Sequence, residues 1–308
     1  MISPIVIGSR GSKLALVQAE WVKAQLSFLN PGSDIRIEII RTTGDVKTDP
    51  LSVIGGKGVF TKELEDALLD QRVDVAVHSL KDLPTIVPEG LKLAAVCKRE
   101  DARDVLVLPE KSAQVCTSLA DLQPHAVIGT SSPRRLSQLG HLRPDLSVKD
   151  LRGNVDTRLR KLDEGQYDAL ILAAAGLRRL GLEQRISLAI PFAQMLPAVG
   201  QGAIGLQTRA DDAGVQSSLT QLNHHETSVA CLAERALLRS LGGGCQLPIA
   251  AHGLVAGEEL KLDGLVASRD GKQIVRDQIS GPAREAEHLG TELAARLLAA
   301  GARELLER

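Results

Sequence analysis

Arginine recurs in this sequence where strands give way to helices, and guanidiniums gathered at such places would hold carboxylates or phosphates. The densest case is Gly129-Thr130-Ser131-Ser132-Pro133-Arg134-Arg135. Ser132 suits an N-cap and Pro133 the first helical turn. Arg134 and Arg135 would then oppose the helix dipole, at a cost of about 0.3–1 kcal/mol each. Free backbone N–H groups, the Thr130 and Ser132 hydroxyls and two guanidiniums together imply a bound anion. Taken alone, the stretch is equally a capped helix with solvated arginines. Leu151-Arg152-Gly153-Asn154-Val155-Asp156-Thr157-Arg158 repeats the arrangement, with Arg152 in the turn and Arg158 one turn into the helix. Arg10 follows the first strand, and Arg179 begins the segment after Ala173-Ala174-Ala175-Gly176. Several planar guanidiniums at one mouth suit a polycarboxylate. Any one of them could as readily be a surface ion pair; their common position at strand ends favours a site.

Asp82 stands after a strand, beside Lys81 and shortly after Ser79. A carboxylate facing a basic cleft could move protons or stabilise a cation. Without that context it is a turn-initiating Asp before Leu83-Pro84. In Gly242-Gly243-Gly244-Cys245, three glycines lead to one cysteine, which reads as a flexible arm carrying an accessible thiol or as a loop cysteine of no consequence. Two look-alikes fail on spacing. Gly55-Gly56-Lys57-Gly58 is not a phosphate-binding loop. His224-His225-Glu226 lacks the second-histidine spacing and third ligand of a zinc site, and is read as a helix start. No metal is expected.

The elements that must position these residues alternate. Ile5 to Ile7, Ile35 to Ile40 and Val73 to Val77 read as strands. Ser12 to Leu29 and Thr61 to Gln71 read as helices, with Thr61 as a cap. A glycine-rich stretch from Thr42 to Gly58 reads as a mobile lid. The pattern restarts at Asp104 with strands near 105–108, 126–129, 146–148 and 169–172, the grammar of a parallel α/β sheet. Residues 203–208 read as a strand added back to the first sheet. From Glu226 a long helix, three antiparallel strands (roughly 249–256, 259–268 and 272–280) and a last helix near 284–300 form an α+β unit. The expected domains are 1–99 with 200–220, then 104–196, then 223–308.

The chain has 308 residues, too many for one ordinary core. A net charge of −1 and an aromatic content of 2% give no general attraction to nucleic acid and few stacking faces. A secretory leader and a membrane-spanning run are both missing from the expected features, and Cys97, Cys116, Cys231 and Cys245 read as reduced thiols. A cytoplasmic protein without nucleic-acid or membrane partners is expected, and a monomer.

In order and wording, these motifs resemble the porphobilinogen deaminase family. The matching stretches are Gly-Gly-Lys-Gly-Val-Phe at 55–60, Ala-Val-His-Ser-Leu-Lys-Asp at 76–82, Gly-Thr-Ser-Ser-Pro-Arg-Arg at 129–135, Leu-Arg-Gly-Asn-Val at 151–155, Leu-Pro-Ala-Val-Gly-Gln-Gly at 196–202 and Gly-Gly-Cys-Gln at 243–246. The resemblance implies two α/β domains with the folding pattern of periplasmic binding proteins and a small third domain with a three-stranded antiparallel sheet. It implies a dipyrromethane cofactor joined to Cys245 by a thioether, porphobilinogen as substrate and Asp82 as the catalytic carboxylate. Arg10, Arg134, Arg135, Arg152, Arg158 and Arg179 would hold acetate and propionate groups, helped by Ser12, Lys81, Thr130 and Ser132. Ser79 and Phe60 match positions lining the cleft, and Lys57 matches the loop above it.

Three positions depart from the family pattern: Pro133 stands where Leu is common, Asp156 where Gly is common, and Val53 where some members carry a second lysine. None removes a proposed catalytic group. The implied reaction joins four porphobilinogen molecules, each losing its aminomethyl nitrogen as ammonia to give an electrophilic azafulvenium, into a linear tetrapyrrole released by hydrolysis. The alternative from another class is a solute-binding protein of the same two-domain architecture. The third domain and the Gly-Gly-Gly-Cys arm argue against it.

Overall fold

A computed structural model describes residues 4–42, 61–244 and 246–306. Val53, Lys57, Phe60, Cys245 and nearly all of the glycine-rich stretch read as a lid lie outside the described residues. The chain divides into two units, Met1–Arg99 with Ala203–Ser228 and Glu100–Gly202 with Val229–Arg308.

In the first unit, β1 (Ile5–Ser9), β2 (Ile35–Ile39), β3 (Val75–Ser79), β4 (Leu91–Val96) and β10 (Ile204–Arg209) form one sheet in the order β2-β1-β3-β10-β4. One face packs Ile5, Ile7, Val77 and Leu206 on Val22 and Leu26 of α1 (Lys13–Leu29). The other packs Val73 and Ala76 on Leu64 and Leu68 of α2 (Lys62–Leu69). Ser12 caps α1, accepting from the Ala15 N–H at 3.3 Å. Thr61 holds the N-cap position of α2 without making the side-chain bond a cap would make.

The second unit contains β5 (Asp104–Val107), β6 (Val127–Gly129), α3 (Pro133–Leu142), β7 (Ser147–Lys149), α4 (Val155–Asp163), β8 (Ala169–Ala173), α5 (Ala174–Arg179) and β9 (Leu188–Ala189), with sheet order β7-β6-β8-β5-β9. It also contains most of α7 (His225–Ser240) and a three-stranded antiparallel sheet of β11 (Ile249–Ala256), β12 (Glu259–Ala267) and β13 (Ile274–Pro282). α8 (Ala286–Leu297) packs Leu289, Leu293 and Leu297 on that sheet. The chain is thus α/β with two five-stranded sheets and a smaller α+β region.

The five-stranded sheets are mixed, not parallel. β10 runs antiparallel to β3 and β4, and β5 runs antiparallel to β8 and β9. An apolar strand buried on both faces reads alike in either direction, so its sequence does not reveal this. β9 was not anticipated.

The Gly242-Gly243-Gly244 arm also differs from expectation. Gly242 ends α7 with φ +67°, in the left-handed region that favours glycine. A Cβ on Gly243 would come within 2.5 Å of the Ile249 side chain and 2.6 Å of Leu238. Two of the three glycines therefore answer to a left-handed helix end and to close packing; a Cβ on Gly244, as on Gly242, would meet nothing within 4 Å.

Candidate functional site

In the first unit, β1 and β3 lie side by side in parallel register, so the turns that follow them emerge at the same sheet edge. Arg10 and Ser12 come from the first turn, and Ser79 and Asp82 from the second. All four line one small pocket of about 70 Å³. Gln18, buried on α1, also lines it, and its side-chain amide donates to the Ser79 hydroxyl at 3.0 Å. Thr61, at the start of α2, contributes a buried hydroxyl with no hydrogen-bond partner among the described residues. His78 completes the same wall, its Nε2 2.9 Å from Gln207 Oε1. Gln18 and His78 were not singled out from the sequence as site residues, and Thr61 was read there only as a helix cap. Gln18 sits mid-helix, 61 residues from Ser79, and nothing local marks the pair. Lys81 is half-buried within the turn, outside the pocket lining.

In the second unit, the two arginine-bearing turns are fastened together. The Ser131 hydroxyl donates to the Leu151 carbonyl at 2.5 Å and accepts from the Leu151 N–H at 3.0 Å. Pro133 occupies the first turn of α3 after Ser132 in the N-cap position, although the Ser132 side chain makes no capping bond. Asn154 does cap α4, accepting from the Thr157 N–H at 3.0 Å. Gly153 has φ +109°, and a Cβ there would come within 2.8 Å of Thr157, so the turn requires glycine. Arg152 is half-buried with Nε 3.0 Å from Asp150, and Arg158 Nε donates to the Gly153 carbonyl at 2.7 Å. Arg179 donates to the Gly202 carbonyl at 2.6 Å.

Arg134 and Arg135 sit differently from an anion clamp open to solvent. Both are buried, at 4% and 6% exposure, and both grip the fully buried carboxylate of Asp104. Arg134 Nη1 lies 2.6 Å from Oδ2, and Arg135 Nη2 lies 2.7 Å from Oδ1. The Gln201 amide donates to Oδ1 as well, at 3.0 Å. Burial works against the Asp104 charge, and the two guanidiniums outweigh it, holding the carboxyl far below the usual carboxylate range. One carboxylate shared by two guanidiniums leaves a positive charge over. The Arg134 Nε is buried with no hydrogen-bond partner among the described residues.

Two matches to family models account for most of the chain. Residues 5–217 match "Porphobilinogen deaminase, dipyromethane cofactor binding domain", and residues 228–299 match "Porphobilinogen deaminase, C-terminal domain". The porphobilinogen deaminase of Pelobacter propionicus is 51% identical over 98% of this chain and 96% of its own length. That of Synechococcus elongatus is 53% identical over 99% of this chain and 95% of its own. The chain belongs to the porphobilinogen deaminase family. Among solved structures, an extracellular-binding protein of a probable amino-acid transporter from Bacillus subtilis matches 72% of this chain and 90% of its own at 9% identity, with a TM-score of 0.43.

The family's dipyrromethane cofactor is a polycarboxylate, and the chain's donors fit such a group. Guanidiniums and hydroxyls dominate the turns just described, and the excess charge at Asp104 with the orphaned Arg134 Nε is what a bound carboxylate would offset. Metal ligands do not cluster among the described residues. His224 instead precedes α7 and accepts from the Thr227 N–H at 3.3 Å, the helix-start role read from the sequence.

Proposed function

We infer that the chain is a hydroxymethylbilane synthase whose working carboxylate is Asp82. Four porphobilinogen molecules are joined head to tail. At each addition the aminomethyl C–N bond breaks, ammonia leaves, a carbon–carbon bond forms to a pyrrole α-carbon, and that carbon's proton is lost. The bound dipyrromethane supplies the first pyrrole with a free α-position. Cys245 would hold that group through a thioether sulfur, and water would cleave the carbon–carbon bond between it and the finished chain, the hydroxyl going to the methylene carbon of the released linear tetrapyrrole and the proton to the pyrrole α-carbon left behind.

The observation that carries the residue assignments is the shared pocket of Arg10, Ser12, Ser79 and Asp82. Asp82 accepts a pyrrole N–H, stabilises the positive charge that develops as ammonia departs, and assists the proton transfers. Arg10, Arg152, Arg158 and Arg179, with Ser12, Lys81, Thr130 and Ser132, pair with acetate and propionate side chains and keep the growing chain in register. Arg134 and Arg135 contribute through the positive charge that Asp104 leaves unbalanced. Ser79, held by Gln18, lines the pocket, and the family resemblance assigns Phe60 and Lys57 to substrate binding. The reading includes a monomer in the cytoplasm without nucleic acid or membrane. The near-neutral net charge supports the exclusion of nucleic acid.

Incubation of the purified chain with porphobilinogen tests this directly. Ammonia should appear with the loss of porphobilinogen in equal amount, and the product should be a linear tetrapyrrole that cyclises on standing. Binding without ammonia release would instead favour a solute-binding protein.

A further inference from the structure

Behind the pocket wall, three buried polar side chains from three elements form a continuous hydrogen-bonded chain. His78 lies on β3, Gln207 on β10 and Glu65 on α2. In the antiparallel register Gly205 faces His78 and Gln207 faces Ala76, which makes His78 and Gln207 diagonal neighbours on one sheet face. His78 Nε2 is 2.9 Å from Gln207 Oε1, and Gln207 Nε2 donates to Glu65 Oε1 at 3.1 Å. All three are buried: His78 is 4% exposed, Gln207 0% and Glu65 8%. Of the three, His78 also lines the pocket that holds Asp82.

The direction of these bonds is not arbitrary. Burial raises the Glu65 pKa and the Gln207 hydrogen bond opposes the rise; in its ionised form the carboxylate only accepts, so the Gln207 NH₂ group must face Glu65 and its oxygen must face the histidine. An oxygen at that position accepts only from a ring nitrogen bearing hydrogen, so His78 must carry its proton on Nε2. The charge on Glu65 thus reaches the pocket wall as a choice of imidazole tautomer.

We propose that His78, Gln207 and Glu65 are positioning residues for the Asp82 pocket, with Glu65 acting through the Gln207 amide to hold the His78 ring as its Nε2-protonated tautomer. The idea rests on the pocket being the reaction site, as argued above, but its central measurement does not depend on turnover. A ring pinned in one tautomer offers the same edge to the pocket at every addition. A ring free to exchange tautomers would change donors for acceptors beside Ser79 and Asp82.

The test is nitrogen NMR of the cofactor-loaded chain labelled in its seven histidines, at a pH well above the ordinary imidazole range. The signal assigned to His78, by its loss in His78→Gln, should be that of an Nε2-protonated ring. Glu65→Gln keeps the shape and a hydrogen bond but can turn either amide face to Gln207. The His78 signal should then shift towards a tautomer mixture, and kcat should fall about tenfold to a hundredfold with KM little changed. His78→Gln, which keeps a donor near the Nε2 position, should retain more activity than His78→Leu. An Nδ1-protonated His78 in the parent would overturn the proposal. So would a Glu65→Gln variant with the parent's tautomer and the parent's kcat. Failure of the parent to consume porphobilinogen would overturn the assigned reaction while leaving the tautomer result standing.

Discussion

Arg135 meets Asp104 through two bonds that converge on one carboxylate oxygen, Nε to Oδ1 at 3.0 Å and Nη2 to Oδ1 at 2.7 Å, with both residues buried. With Arg134 on the other carboxylate oxygen, the motif that marks an anion site in the sequence is anchored by a strand residue of the same unit. Removing one partner of such a group leaves charge buried without compensation. Asp104→Asn should therefore lower stability at neutral pH by about 3–5 kcal/mol in denaturant unfolding. Because the folded carboxyl is held below its unfolded value, its contribution is full above the ordinary carboxylate range and fades as pH falls towards the folded value. The deficit of Asp104→Asn relative to the parent should thus begin to shrink below the ordinary carboxylate range and vanish only in strong acid. A deficit that vanished near the ordinary carboxylate pKa would contradict the depressed value.

The arginines should separate into two classes by the same logic. The Arg152 side chain is 35% exposed and its partner Asp150 is 61% exposed, a pair of the kind worth about 0–1 kcal/mol. Arg152→Leu should unfold near the parent's temperature yet alter the distribution of covalent intermediates separated by ion exchange. Arg135→Leu should lose several degrees of thermal stability before any question of binding arises. Equal stability losses in the two variants would remove the distinction.

Asp82 shares its pocket with Arg10 and is only partly buried, so its loss should spare the fold. Asp82→Asn should keep the parent's unfolding temperature and intact mass while kcat falls about 10²–10³-fold. Near-parent turnover in a folded, cofactor-bearing variant would exclude the carboxylate from the chemistry.

Cys97, Cys116 and Cys231 are buried. Burial also raises the Cys116 thiol pKa, with the Asp121 charge adding to it, so this sulfur is poorly placed to act as a thiolate. The purified chain should exceed its sequence mass by one dipyrromethane, found after digestion on the Cys245 peptide. Cys245→Ser should lose that mass and all turnover, whereas the other three serine variants should keep the added mass if they fold. An active parent of unmodified mass would end the thioether assignment.

Much of this was written locally in the chain. Ser12 and Asn154 accept the backbone bonds their types suggest, Pro133 opens α3, and Gly153 stands where a positive φ and a close side chain demand it. Such features depend on a few consecutive residues, so spacing alone exposes them. The family motifs work the same way, since they lie in turns whose backbone chemistry is local. Only the tertiary structure decided which side chains meet. Asp104 takes Arg134 and Arg135 from 30 and 31 positions away, Gln18 reaches Ser79 across 61, and Gln207 joins His78 across 129. These pairs are set by strand order and by the return of β10 into the first sheet, antiparallel to β3. An apolar strand carries no mark of its direction or its neighbour, and a buried polar group finds its partner only after the sheet has formed around it.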